Sequence, residues 1–237
     1  MTVETSFTDG VALIVMNRPE RKNAFNRDQY EGVAAALRTA DANDSVRCAV
    51  VTGAGGSFSS GQDLKEMAEL AAGTGGGSGF PVLLDALETF GKPLLTAVSG
   101  VAVGIGMTML PYFDLVIVGE STRMRVPFSE LGVPPEAASS VTFASVMGWQ
   151  RAAELLLTSR WIDAHEAVAY GLALRQVTDD AVLEETMSLA RAVATKSGFT
   201  TSVVRRLMMQ GRGDSLREAR VREEALFKAL FEGQRGN

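Results

Sequence analysis

Ala97-Val-Ser-Gly-Val-Ala-Val-Gly-Ile-Gly106 decides how the chain folds, because it lies in a run, Leu94 to Phe113, that carries no charged residue. An uncharged run of this length is long enough to cross a lipid bilayer as a helix. Its glycines interrupt the helical pattern, and its first part is rich in residues that favour strands. We therefore predict a buried strand over 94–98, a glycine turn, and a buried helix over 104–110.

Outward from this run, short apolar stretches alternate with helical patterns, which indicates an α/β fold. Two alternating stretches around Asp9-Gly10 predict a β-hairpin. After about residue 138 the pattern turns helical, and four or five helices are predicted there. The other predicted elements are a helix capped by Asn26 and ending near Ala42, a strand over 46–52, a short helix opened by Asp63, a helix over 81–90 and a strand over 115–118.

Two further local patterns bear on the element boundaries. Asp163-Ala-His-Glu166 and Ser215-Leu-Arg-Glu218 both have the form of a capping box, which predicts a helix start at each. The segment 71–79 is dense in glycine. We interpret it equally as a solvated linker or as a flexible flap beside a pocket.

Composition excludes several classes of function. The net charge of −5 argues against nucleic-acid binding, and the basic group from Arg217 to Arg222 is interpreted as a solvated helix face. Cys48 and His165 are the only cysteine and histidine, so an internal disulfide and a metal site built from cysteine and histidine are both excluded. The N-terminus lacks the pattern of a signal peptide, and we expect a cytoplasmic protein without a membrane span.

Three places in the sequence carry candidate chemistry. In Ser57-Phe-Ser-Ser-Gly-Gln-Asp-Leu64 and in Gly100-Val-Ala-Val-Gly-Ile-Gly106, a strand is followed by a glycine turn and a helix start, where backbone N–H groups are left unpaired. In Gly132-Val-Pro-Pro-Glu136, two prolines precede a carboxylate at a predicted helix start. Taken alone, Glu136 is more typical of a first-turn residue that complements the helix dipole than of a catalytic group. The second glycine motif lacks the third glycine of a dinucleotide fingerprint, because Met109 stands there.

Together with Asn17-Arg-Pro-Glu-Arg-Lys-Asn-Ala24, these motifs resemble the enoyl-CoA hydratase/isomerase, or crotonase, superfamily over nearly the whole chain. The resemblance implies a spiral of β-β-α units with a helical C-terminal region. It divides the chain into a core with an acyl-coenzyme A site at 1–190 and a helical oligomerisation region at 191–237. It also implies a homotrimer or a dimer of trimers. Members usually continue for another helix beyond Asn237, so we expect the adenine end of the site to be open.

The resemblance also implies the site residues. The backbone N–H groups of Gln62 and Ile105 would bind the thioester carbonyl, and Glu136 would be the catalytic carboxylate. The substrate, an acyl-coenzyme A thioester, brings its own coenzyme A, so no separate cofactor and no metal are implied. The implied substrate-binding residues are Arg18, Lys22, Ala24, Ser60, Gly61, Asp63, Leu64, Gly104 and Phe128.

Departures from the family pattern distinguish between its reactions. The two glutamates with which family hydratases activate water fall at Thr108 and Phe128, and neither residue is acidic. Glu136 falls where peroxisomal-type Δ3,Δ2-enoyl-CoA isomerases carry their single catalytic glutamate, and we favour it over Glu130. The resemblance therefore implies a 3-enoyl-CoA to 2-enoyl-CoA isomerase, with hydration or another crotonase reaction, or non-catalytic thioester binding, as alternatives. An apolar pocket including Phe128 and Met107 would raise the pKa of Glu136, and a helix start would lower it.

Overall fold

The computed structural model of the protein describes residues 2–71 and 79–235. Most of the segment that was predicted as a linker or flap therefore lies outside the described residues. The predicted α/β class is confirmed, because strands and helices alternate along the first two thirds of the chain and the rest is mostly helical.

A six-stranded sheet forms the centre of the molecule. Its strands, in their order across the sheet, are β1 Val3–Thr8, β2 Val11–Met16, β3 Cys48–Gly53, β4 Leu94–Val98, β6 Leu115–Gly119 and β9 Arg175–Val177. The hairpin predicted around Asp9-Gly10 pairs β1 with β2 antiparallel, and the other neighbouring strands are parallel. Burial on both faces explains why β3 and β4 read as continuous apolar runs.

A second sheet has three strands, two of which directly follow strands of the first sheet. It contains β5 Val101–Val103, β7 Arg123–Arg125 and β8 Ile162–Asp163, in the order β5-β7-β8. The segment after β3 joins it through a bridge between Ser59 and Ala102. The pairs β4-β5 and β6-β7 each contribute one strand to each sheet and then continue into a helix, as predicted for a spiral of β-β-α units.

Ten α-helices surround the sheets within the described ranges. Asn26 caps the first as predicted, its side chain accepting a hydrogen bond from the Gln29 N–H at 3.0 Å. The helices are α1 Arg27–Ala42, α2 Leu64–Ala71, α3 Phe80–Thr89, α4 Ile105–Thr108, α5 Phe128–Leu131, α6 Ser139–Met147, α7 Trp149–Thr158, α8 Ala164–Ala169, α9 Val182–Ala194 and α10 Gly198–Arg235. None of them, over the residues with assigned positions, has the length and apolar character that crossing a membrane requires.

The predicted capping boxes have opposite outcomes. The box at Asp163 is confirmed, because its side chain and that of Glu166 satisfy each other's backbone N–H groups at the start of α8. The box at Ser215 is wrong, because α10 runs through it without a break. The predicted division after residue 190 falls inside α9, and the division itself stays a prediction.

The long helix α10 is tied to the core by arginines. Arg205, 3% exposed, donates to Asp114 Oδ2 at 2.8 Å, and Arg220 pairs with Asp85 and Glu88, each at 2.8 Å. The side chain of Arg220 is only 13% exposed. The interpretation of Arg217 to Arg222 as a solvated face is therefore wrong for Arg220, which points inward to two carboxylates.

Candidate active site

A cavity of about 810 Å³ lies where three loops meet helix α10. The loops are the turn after Ser59, the turn after β5, and the proline segment before α6. The sequence-predicted residues that line this cavity are Ala24, Ser60, Gly61, Gln62, Asp63, Leu64, Gly104, Ile105 and Glu136. Motifs that are distant in the chain are thus brought to one place by the spiral.

The first loop is held on both sides of Gln62 while leaving its backbone N–H unengaged. The N–H of Asp63 donates to the Phe25 carbonyl at 2.9 Å, and the N–H of Gly61 donates to Ser59 Oγ at 3.1 Å. The Gln62 side chain is fixed by the Tyr30 hydroxyl, which donates to Oε1 at 2.6 Å. Among the residues with assigned positions, no group accepts a hydrogen bond from the Gln62 N–H.

The second loop presents the N–H of Ile105 in the same way. Gly104 has a φ of 52°, which favours glycine, and its carbonyl accepts from the N–H groups of Met107 and Thr108, both at 2.9 Å. As the first residue of α4, Ile105 has no intrahelical acceptor for its N–H. No other acceptor for it exists in the described part of the chain.

The two loops pack backbone against backbone. A Cβ atom added to Gly61 would lie 2.9 Å from the Val103 carbonyl oxygen and 3.9 Å from the Gly104 Cα. This close approach requires glycine and places both unengaged N–H groups at the same cavity wall. Two donors so arranged are suited to an oxygen atom that gains negative charge during a reaction.

Glu136 lies at this wall as well. A Cβ atom on Gly104 would be 3.9 Å from Glu136 Oε1, so the carboxylate lies beside the residue that precedes Ile105. The sequence predicted that Glu136 begins a helix, and this is wrong. Ala137 and Ala138 adopt left-handed conformations, and α6 starts at Ser139. The helix dipole therefore acts on it from a greater distance than predicted.

The environment of Glu136 raises its pKa from 4.5 to about 8. The larger cause is burial, which disfavours the charged carboxylate, and the second is the negative charge of Glu223. Because Glu136 does not begin a helix, burial and Glu223 shift its pKa in the raised direction.

Comparison with known proteins agrees with this geometry. The family model of the enoyl-CoA hydratase/isomerases matches residues 6–236. The chain belongs to the enoyl-CoA hydratase/isomerase family. It is 41% identical to rat enoyl-CoA delta isomerase 2 over 168 residues, which are 69% of this chain and 43% of the rat protein. The chain thus spans less than half of that relative.

Two other members of the family match over more of their length. The 1,2-epoxyphenylacetyl-CoA isomerase of Escherichia coli is 31% identical over 87% of this chain and 81% of its own. The crystal structure of an enoyl-CoA hydratase/isomerase from Pseudoalteromonas atlantica superposes with a TM-score of 0.92 at 31% identity, covering 97% of this chain and 91% of that one. The fold is therefore the family's fold, which confirms the predicted architecture.

Some predicted residues do not line the cavity in the described part of the chain. Arg18 instead pairs with Asp63 at 3.1 Å and donates to the Ala24 carbonyl at 2.6 Å. It therefore supports the first loop without facing the cavity. Lys22 is exposed, and its carbonyl accepts from the Ser60 N–H. Phe128 is buried in the core at the start of α5. Their assignment as substrate-binding residues stays a prediction.

At the two positions where the sequence comparison placed the hydratase glutamates, this chain has Thr108 and Phe128. Thr108 is fully buried, and its hydroxyl has no hydrogen-bond partner among the positioned residues. The rival carboxylate Glu130 forms an ion pair with Arg125 and does not reach the cavity. Of the two carboxylates that the sequence offered as catalysts, Glu136 is thus the one that shares a wall with both N–H donors.

Sequence reasoning missed the contribution of α10. One wall of the cavity is formed by Arg220, Glu223, Glu224, Phe227 and Lys228 of this helix. Their charged composition resembles that of a solvated helix face, and no local pattern distinguishes the inward-facing members. The only available signal was their helical spacing, which places residues 220, 223, 224, 227 and 228 on one face.

Proposed function

We propose that the protein is an isomerase that shifts the double bond of a 3-enoyl-CoA thioester to the 2-position. The observation that supports this is the shared cavity wall of one carboxylate, Glu136, and two unengaged main-chain N–H groups, those of Gln62 and Ile105. Moving a double bond by one position requires a single group that removes a proton at one carbon and returns it at another.

The proposed reaction has two proton transfers. The Glu136 carboxylate takes a proton from C2, and the electron pair of that C–H bond delocalises onto the thioester oxygen and gives a dienolate. The N–H groups of Gln62 and Ile105 stabilise this oxygen, and one such donor typically accounts for about 3 to 4 kcal/mol of barrier lowering. Glu136 then returns the proton to C4, and the new double bond lies between C2 and C3.

The raised pKa of Glu136 fits this role. A base that accepts a proton from carbon and returns it works best when its pKa is near the working pH, and burial moves the pKa of Glu136 to about 8. Since the base must be ionised, kcat/KM for the isomerisation is expected to fall as the pH drops below about 8.

Hydration is the second candidate reaction because hydratases occur among the relatives, including a probable enoyl-CoA hydratase of Mycobacterium leprae that is 30% identical over 98% of this chain. Against it, Thr108 and Phe128 are both buried and carry no carboxylate for activating water. Measuring water addition to a 2-enoyl-CoA separates the two: hydration faster than isomerisation would contradict our proposal.

The decisive experiment compares wild type, Glu136→Gln and Glu130→Gln on a 3-enoyl-CoA, following the absorbance of the conjugated thioester product. We expect Glu136→Gln to lose at least about 100-fold in kcat, because glutamine cannot accept the proton. Its affinity for a saturated acyl-CoA, measured by calorimetry, should remain close to that of wild type. Glu130→Gln is the matched control and should keep wild-type activity.

Two outcomes would contradict the proposal. One is wild-type turnover by Glu136→Gln, which would show that another group carries the proton. The other is binding of acyl-CoA by wild type without turnover of any enoyl substrate, which would favour a thioester-binding protein.

A further inference from the structure

The turn that carries Glu136 is conformationally demanding. Ala137 and Ala138 have φ values of 57° and 56°, a left-handed conformation that costs free energy at residues other than glycine. Because the turn follows Glu136 directly, its conformation sets the direction of the Glu136 side chain. Something else in the structure must hold these two alanines in place.

Glu223 of α10 supplies hydrogen bonds to this turn. Its Oε2 accepts from the Ala138 N–H at 2.7 Å, and its Oε1 accepts from the N–H and the hydroxyl of Ser140 at 3.0 and 2.5 Å. The residue is only 6% exposed. Glu223 therefore makes directed contacts with backbone that lies 83 and 85 positions away in the chain.

These contacts replace a local helix cap. The N-cap position of α6 is Ala138, whose side chain cannot accept a hydrogen bond, and helices normally carry serine, threonine, aspartate or asparagine there. The carboxylate of Glu223, which belongs to α10, caps the start of α6 instead. The Tyr112 hydroxyl, which donates to the Ala137 carbonyl at 3.1 Å, completes the support of the turn.

We infer that Glu223 is a positioning residue for the reaction, which holds the turn at Ala137 and Ala138 and thereby aims the Glu136 carboxylate at the two main-chain donors. This inference rests on the proposed function of Glu136 as the base. It assigns to α10 a direct part in setting the reaction geometry.

Electrostatics gives the inference a second readout. Glu223 is the group whose charge raises the pKa of Glu136. Burial raises the pKa of Glu223 itself, and the hydrogen bonds from Ser140 and Ala138 oppose that shift. Tyr30 of α1 is also near, and its own pKa is raised by burial and by Glu136. The remaining ionisable residues of the cavity wall are Arg21, Asp63, Lys65, Arg220, Glu224 and Lys228.

The test compares wild type, Glu223→Gln, Glu223→Ala and Ser140→Ala in pH–rate profiles with a 3-enoyl-CoA, together with the affinity for a saturated acyl-CoA. Glu223→Ala should lose about ten- to a hundred-fold in kcat with little change in KM, because a misaimed base impairs the chemical step. Glu223→Gln should move the acidic limb of kcat/KM to lower pH, because removing the neighbouring negative charge makes Glu136 easier to ionise. Ser140→Ala, which removes one of the three hydrogen bonds, should lower kcat by less than Glu223→Ala.

A matched control lies on the same helix. Glu218 is exposed and pairs only with Arg222 at 3.6 Å within the described residues, so Glu218→Gln should leave both the rate and the pH limb unchanged. If Glu223→Ala fails to fold, the inference is decided by Glu223→Gln and Ser140→Ala. A wild-type kcat and an unmoved acidic limb in those variants would overturn it.

Glu136→Gln distinguishes this failure from that of the proposed function. If Glu136→Gln is inactive while the Glu223 and Ser140 variants behave as wild type, only the positioning role is wrong. If Glu136→Gln turns over like wild type, the proposed function itself is wrong.

Discussion

Single glycines bring the two main-chain donors together. Gly61 has a φ of 95° and approaches the Val103 carbonyl so closely that an added Cβ would lie 2.9 Å from its oxygen. Gly132 also has a positive φ, of 67°, but an added Cβ there meets nothing within 4 Å. The two positions thus share a backbone preference and differ in steric contact.

This difference predicts the outcome of two matched substitutions. Gly132→Ala should cost about 1 to 2 kcal/mol of unfolding free energy from backbone strain alone and leave activity unchanged. Gly61→Ala should cost more and also lower kcat on a 3-enoyl-CoA, because the first loop must move away from the second. Urea unfolding and turnover of both variants check this, and equal losses of activity would contradict it.

At the residue scale, the sequence predicted Gln62, Ile105 and Glu136 because each lies within a contiguous motif. Burial of the Glu136 carboxylate was anticipated, but Phe128 and Met107 do not line its cavity in the described structure. The role of Glu223 could not be predicted, because its partners are 83 and 85 positions away and it stands in a run of charged residues.

Among the elements, α10 is attached to the core partly through the ion pair of Arg205 with Asp114. Arg205 donates to Asp114 and also to the carbonyls of Phe90, Leu87 and Tyr112, which are distant in sequence. Asp114 in turn accepts from the Leu94 N–H at 2.7 Å at the start of β4. The helix that forms one cavity wall is therefore attached to the strand that enters the second donor loop.

Removing this attachment should be costly. Arg205→Ala is expected to lower the unfolding free energy by about 3 to 5 kcal/mol, because it leaves the half-buried Asp114 carboxylate without its charged partner and two buried carbonyls without a donor. Arg222→Ala, on the same helix but paired at the surface with Glu218, should cost less than about 1 kcal/mol. Chemical denaturation measures both, and a similar small loss for the two variants would contradict the structural role of Arg205.

Helix starts that are fixed by neighbouring residues were predicted correctly, whereas one that depends on tertiary packing was not. Helix starts with a local cap, at Asn26 and Asp163, were predicted correctly. The start predicted at Ser215 was wrong because Leu216 and Ala219 are buried in the core, and this packing keeps α10 continuous. Tertiary burial thus overrode a capping pattern that the sequence displayed plainly.

For the whole molecule, the half-buried Glu136 carboxylate couples function to stability. The pKa of Glu136 is about 8 in the folded chain and near its ordinary value of 4.5 when unfolded. Between these values the folded state binds more protons, so its stability falls as the pH rises. We expect the unfolding free energy of Glu136→Gln to increase relative to wild type from about pH 4.5 to about pH 8.

Urea unfolding of both proteins at several pH values across this window tests the expectation. Ionisable groups that do not interact with Glu136 titrate alike in the two proteins and cancel in the difference. A difference that stays constant with pH, or that decreases, would contradict the raised pKa.

The family resemblance also implies assembly into trimers. This stays a prediction, which a measurement of the native mass would test.

The peptide N–H donors at Gln62 and Ile105 have a consequence for how such a protein can diverge. Every amino acid except proline has the same N–H group, so mutations at these two positions would leave the proposed contact with the thioester carbonyl largely intact. The acid–base group, by contrast, is a side chain that one codon change can delete or relocate. Descendants of this scaffold can therefore exchange one transformation for another while keeping the same class of ligand.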